Sequence, residues 1–97
     1  MNQQISFQQA IDLVTRLKAN PVEGVPVSET FGLEIVDAVT GTAGCTSLRI
    51  YYGKKEDGSV CAILVGADEN GADLTDVIGE DGFRCPPLCP TTSALNP

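Results

Sequence analysis

The chain has 97 residues, 42% of them apolar, and a formal net charge of −7 from thirteen acidic against six basic side chains. That length makes a single domain, which removes roughly 60 to 65% of the unfolded chain's surface from water. The negative excess repels phosphate backbones and anionic lipid, which argues against a nucleic-acid partner, and no window approaches the ~20 apolar residues of a membrane span.

Taken in chain order, "MNQQISFQQAIDLV" has no basic segment followed by a continuous apolar stretch. A cytoplasmic chain with reduced thiols is expected, or an extracellular one if a signal peptide has been removed. Ser6 followed by Gln9 matches a capping box, and Phe7, Ala10, Ile11, Val14 and Leu17 recur at helical spacing, so the first helix starts here. Arg16 and Lys18 suit its C-terminal end, and Asn20-Pro21 stops it. "PVEGVPV", Pro21 to Val27, reads as an extended connection. Ser28 is placed to cap a second helix, with Glu29 in its first turn and Phe31, Ile35, Val36 and Val39 as its apolar stripe, ended by Gly41 and Gly44.

From Cys45 the period changes to two. "TSLRIYY" alternates Leu48, Ile50 and Tyr52 with Ser47, Arg49 and Tyr51, and "VCAILVGA" is a continuous apolar run, so a hairpin is expected with its turn over Lys54 to Ser59 and Cys61 opposite Tyr51. Asn70-Gly71 suggests a type I′ loop, and "LTDVIG" is read as a third strand because a lone hairpin is marginal. Beyond Gly82 the chain turns Pro-rich. The expected fold class is α+β, two N-terminal helices packed on a small antiparallel sheet, as one domain over residues 1–84 with a Pro/Cys-containing tail over 85–97.

Chemistry-bearing patterns are few. The chain has no histidine, which removes the commonest general base and neutral metal ligand and excludes hydrolase triads and His-bearing zinc sites. "GTAG" at Gly41 to Gly44 lacks the spacing and lysine of a phosphate loop and reads as a helix end. The acidic run Asp68, Glu69, Asp73, Asp76, Glu80 and Asp81 suggests calcium, but setting Gly71 at the sixth position of an EF-hand loop puts Gly66 and Val77 at ligand positions. A solvated hairpin turn is the simpler reading. No catalytic constellation is present, and no enzyme activity or cofactor is expected.

The four cysteines are sparse for a disulfide scaffold. Cys45 and Cys61 are expected about 20 Å apart, too far to bond, with Cys61 in the core and Cys45 more accessible. Cys85 and Cys89 bracket Pro86, Pro87 and Leu88 at a C-x3-C spacing. Polyproline geometry would hold them ~12 Å apart, while a turn at Pro87 would bring them together. A structural tail, a disulfide within or between chains, and a metal-thiolate (zinc) or redox pair therefore all stand open.

"LRIYYGKKEDGSVCAILVGADENGADLTD" followed by "CPPLC" and "ALNP" resembles a group of small Bacteroidota proteins with an "RIYFG…LVLVGVD.NG.D" run ahead of "CPP.C". The resemblance covers the second half of the chain and implies no activity or catalytic residue, only that the Pro-flanked cysteines belong with the hairpin as one unit. The functional expectation is a non-enzymatic interaction module. Its partner would be another copy or another protein, engaged through a sheet edge and through Pro86, Pro87, Leu88 and Leu95 of the tail.

Overall fold

Residues 3–96 are described by the structure, a computed structural model, and its first regular element is helix α1, Phe7–Ala19. The capping box is complete. Ser6 Oγ accepts from the Gln9 backbone N–H at 3.0 Å, and Gln9 Oε1 accepts from the Ser6 N–H at 2.8 Å, which satisfies two donors that a helix start leaves open. Yet none of its residues is buried and it packs closely on no other helix or strand. Its apolar stripe is formed but only half-covered.

The chain between the two helices is not all loop. Ser28–Thr30 is a short strand, β1, and the next helix, α2, begins later, at Leu33–Thr40, with Gly32 at its cap. Three further strands, β2 (Ser47–Lys54), β3 (Val60–Ala67) and β4 (Asp73–Gly79), form an antiparallel sheet in the order β2-β3-β4. A fifth, β5 (Phe83–Cys85), pairs antiparallel with β1, setting Glu29 opposite Arg84 and Ser28 opposite Cys85.

The expected fold is therefore corrected. Among the described residues there are two helices, and five strands that form two sheets; of the helices, only α2 packs closely on a sheet. Ser28 and Glu29 belong to a strand and not to a helix cap, because their backbone groups are claimed by a partner strand far along the sequence, which a local capping signal does not register. The Pro-rich segment likewise starts inside this second sheet, since Cys85 is a β5 residue and fully buried.

The β2–β3 register runs from Ser47↔Ala67 to Lys54↔Val60, so Cys61 faces Gly53 and not Tyr51. The turn over Lys55 to Ser59 sets this register, and the β3–β4 turn has the same form. Gly58 N–H donates to Lys55 O, Gly71 N–H donates to Asp68 O, and both glycines have positive φ while Asn70 does not. Each is a type I turn closed by a left-handed glycine, so Asn70-Gly71 is not the type I′ loop its sequence suggested. Asp68 Oδ1 accepts from the Asn70 and Ala72 N–H groups at 2.9 Å and fixes that loop. β4 then breaks register against β3 between Val65 and Gly66.

Leu48, Ile50 and Tyr52 of β2 share a face with their partners Gly66, Leu64 and Ala62. α2 covers part of that face. A methyl on Gly79 would lie 3.0 Å from Ile35, and one on Gly66 would meet Val39 O at 3.1 Å and Cys45 Sγ at 3.0 Å. The lack of a side chain at Gly66 is what lets the helix sit this close. Val39 and Leu64 form the centre of the core beneath α2, and Cys85, with Val39 one of the two largest fully buried side chains, lies in the second sheet.

Candidate interaction surface

Among the described residues the β2-β3-β4 sheet has three stretches of strand edge, and the sequence treats them differently. The first belongs to the opening half of β3, which β4 does not reach, because β4 pairs only with Leu64 to Ala67. The small β1–β5 sheet closes it with side chains. Arg84 Nη1 donates to Val60 O at 2.6 Å and its Nη2 to Gly24 O at 3.1 Å; Glu29 Oε1 accepts from the Ala62 N–H at 3.0 Å; and Gly24 O accepts from the Val60 N–H at 2.7 Å. A charged cross-strand pair thus stands in for a missing strand, with its carboxylate and guanidinium supplying acceptor and donor.

The second edge is β4. It carries Asp73 and Asp76 and is interrupted where its register shifts. Charge and irregularity both blunt an edge against pairing.

The third is β2, eight residues long and without interruption. Since the outward groups of Val60 and Ala62 are those taken by Arg84 and Glu29, their partners Lys54 and Tyr52 sit in pairs that exchange no hydrogen bond with β3. By alternation, Leu48, Ile50, Tyr52 and Lys54 turn their N–H and C=O groups away from the sheet, where no described strand meets them. The side chains of the first three are 42, 45 and 77% exposed.

Those side chains also open onto a groove. α2 packs chiefly over β3 and β4 and only lightly over β2, which leaves a cavity of about 400 Å³ lined by Phe31, Val36, Leu48, Ile50, Tyr52 and Leu64, with Val25 and Pro26 of the connecting segment beside them. Its walls are almost wholly apolar. Phe31, expected in the second helix, instead precedes it and lies over Gly82.

The opposite sheet face is polar at its β2 side. Arg49 donates to Asp73 Oδ1 and to Gly71 O, and the Tyr51 hydroxyl donates to Asp73 Oδ2. The Tyr51 and Arg49 hydrogen bonds hold the Asp73 carboxyl below its ordinary range, and the same carboxylate raises the Tyr51 phenol. Lys55 reaches Glu80 at 3.3 Å and Asp81 at 3.4 Å. The acidic run is therefore partly neutralised by bases from outside it, and among the described residues no three His, Cys, Asp or Glu side chains gather as a metal site would need.

The cysteines at 85 and 89 are bonded to each other, with Cα atoms 4.7 Å apart, so the segment between them is not extended polyproline; the Cys85–Pro86 and Pro86–Pro87 peptides are both cis. In this state neither sulfur is a thiolate ligand. Cys85 is buried and Cys89 exposed; Cys45 and Cys61 are free, the latter buried. Pro86, Pro87, Leu88 and Leu95 are all exposed. The tail nevertheless folds back on its own chain: Leu88, Cys89, Leu95 and Asn96 line a cleft with Val27, Ser28 and Thr30, and Lys18 Nζ donates to Asn96 Oδ1 at 3.1 Å.

No family model, curated protein or solved structure matches the chain. No helix among the described residues is long and apolar enough to cross a membrane. The uncapped β2 edge was legible only in part, since strand alternation exposes the apolar side chains but not the strand order that makes β2 an edge.

Proposed function

We propose that the chain is a non-enzymatic self-association module whose working surface is the outer edge of β2. The observation that carries this reading is the contrast among the three edges: β3 is closed by Glu29 and Arg84, β4 is acidic and broken, and β2 alone is long, regular and apolar. A second β2, related by a two-fold axis normal to the sheet, pairs with it antiparallel and makes one six-stranded sheet of the two copies. Main-chain hydrogen bonds supply the affinity, and Leu48, Ile50 and Tyr52 of each copy meet as neighbours across the seam. The tail residues serve this reading indirectly, as the clamp that holds β1 and hence the cap of β3.

Sedimentation velocity of the full chain over a wide concentration range tests it. A monomer–dimer equilibrium is expected, and Tyr52→Lys, which places a charge on an exposed edge position, should return a folded monomer. A chain that stays monomeric at high concentration sinks the proposal, as does a dimer indifferent to Tyr52→Lys.

A second reading, a reversible thiol-redox pair, is supported by the exposure of Cys89 beside buried Cys85. An external thiolate would attack the Cys89 sulfur, form a mixed disulfide and release Cys85 as the leaving thiolate. Intact mass after alkylation, with and without dithiothreitol under native conditions, tests this. Two thiols that remain alkylatable in oxidised glutathione buffer would rule it out.

A further inference from the structure

Two unsatisfied apolar surfaces occur in this one chain, and their shapes correspond. On the sheet, a helix about 10 Å across covers only about two strands spaced at ~4.8 Å. α2, lying chiefly over β3 and β4, uses its share there and covers β2 only lightly. Off the sheet, α1 aligns Phe7, Ala10, Ile11, Val14 and Leu17 on one side and fully buries none of them: Phe7 is 64% exposed and the other four are half-buried. Thirteen residues of α1 measure about 20 Å, against about 27 Å for the eight of β2. An isolated helix of that length is marginal in water, so its apolar face needs a surface to lie on.

We infer that the bare groove beside α2 takes an amphipathic helix, and that its occupant is α1 of a second copy, exchanged reciprocally. The inference rests on the self-association reading and names what covers the joined sheet.

The root of α1 favours a second copy over the chain's own helix. Lys18 is tied to Asn96, and Leu17 shares a small cleft with Pro21, Val22 and Val25, so the last turn is fastened to the body, while the helix packs closely on no other helix or strand. The radius of gyration is 14.9 Å, against about 12.5 Å for a compact chain of this length. A projecting arm accounts for the difference. In the paired sheet, the two-fold axis keeps both groove faces on the same side, so the bare β2 halves adjoin and an arm leaving one copy meets the groove of the other.

Areas support the combination. One docked helix of this size covers a footprint on the order of 200 Å² on each surface, and reciprocal docking brings the total to on the order of 800 Å². That is short of the ~1,200 Å² at which specific interfaces begin, and the paired β2 strands supply the remainder.

The test is site-specific photo-crosslinking of the full chain with p-benzoylphenylalanine in place of Phe7, in an equal mixture of ¹⁴N- and ¹⁵N-labelled protein, together with Val14→Asp in sedimentation. Mixed-isotope peptides joining residue 7 to the Ser47–Lys54 segment are expected, and Val14→Asp should weaken the dimer about tenfold or more. Val14 is half-buried, but on a helix that packs closely on no strand, so this variant keeps the sheet intact. Crosslinks found only in like-isotope pairs would assign the groove to the chain's own α1 and overturn the inference. A dimer that tolerates Val14→Asp and yields no such crosslink overturns it while leaving β2 pairing standing. A monomer at every concentration removes both.

Discussion

α1 and α2 invert the relation usually assumed between a helix's local quality and its role. α1 is longer, has a complete capping box and ends with Arg16 and Lys18, yet buries nothing; α2 has eight residues, a glycine cap without a side-chain bond, and carries the fully buried Val39. Capping and periodicity report whether a helix forms. They do not report whether a surface is waiting for it, and in this chain the sheet offers α2 a seat because Gly66 and Gly79 let it approach.

The largest effect that sharpens this contrast is at Val39. Val39→Ala removes side-chain volume from the core beneath α2 and should cost about 2 kcal/mol in denaturant unfolding. The matching substitution in the longer helix, Val14→Ala, should stay within about 0.5 kcal/mol when measured on the monomeric Tyr52→Lys background. Equal losses at the two positions would mean that α1 is packed on the body after all.

A smaller effect separates helix formation from global stability. Ser6→Ala deletes the acceptor for the Gln9 N–H and should weaken α1 locally by about 1 kcal/mol. On the same monomeric background, far-UV circular dichroism should lose helical signal while the unfolding midpoint stays put. A midpoint that falls with the helical signal would show α1 coupled to the sheet.

The elements readable from the sequence are those whose signals are local. Ser6 and Gln9 sit three apart and close one turn, and β2 announces itself by strict alternation from Ser47 to Tyr52. What escaped was decided at long range. "SET" at 28–30 is polar and brief, and it is a strand because Phe83 to Cys85 lies beside it. The same partnership turns Glu29 and Arg84 into a cap for β3, a role that no spacing between them encodes. Cys85 and Cys89 could be read as either a stiff extended run or a turn that brings them together, and the chain doubles back between them. Of the candidate surface, the apolar side chains Leu48, Ile50 and Tyr52 were visible. That they lie on an edge, beside a groove, follows from strand order and from α2 covering the other two strands.

The smallest effect concerns the polar side of β2, and it should leave α1 untouched. The hydrogen bond from Tyr51, followed by that from Arg49, lowers the Asp73 pKa from its ordinary 3.8. A carboxyl depressed in the folded state contributes stability that is present above its ordinary value and lost as pH falls through the folded one. The Tyr51 phenol, raised from 10.0 chiefly by its hydrogen bond to Asp73, contributes in the opposite sense: its share is present below the ordinary value and lost as pH rises through the raised one. The cluster thus tethers β2 to the far end of the β3–β4 hairpin across the range between, and because all three groups face solvent the effect on unfolding is slight. Its signature is spectroscopic. Tyrosinate absorbance should place Tyr51 above the ordinary phenol range, and Asp73→Asn should bring it down while far-UV helical signal from α1 is unchanged. If Tyr51 titrates identically in Asp73→Asn, the carboxylate does not hold the phenol, and β2 is free on its polar face as well as along its edge.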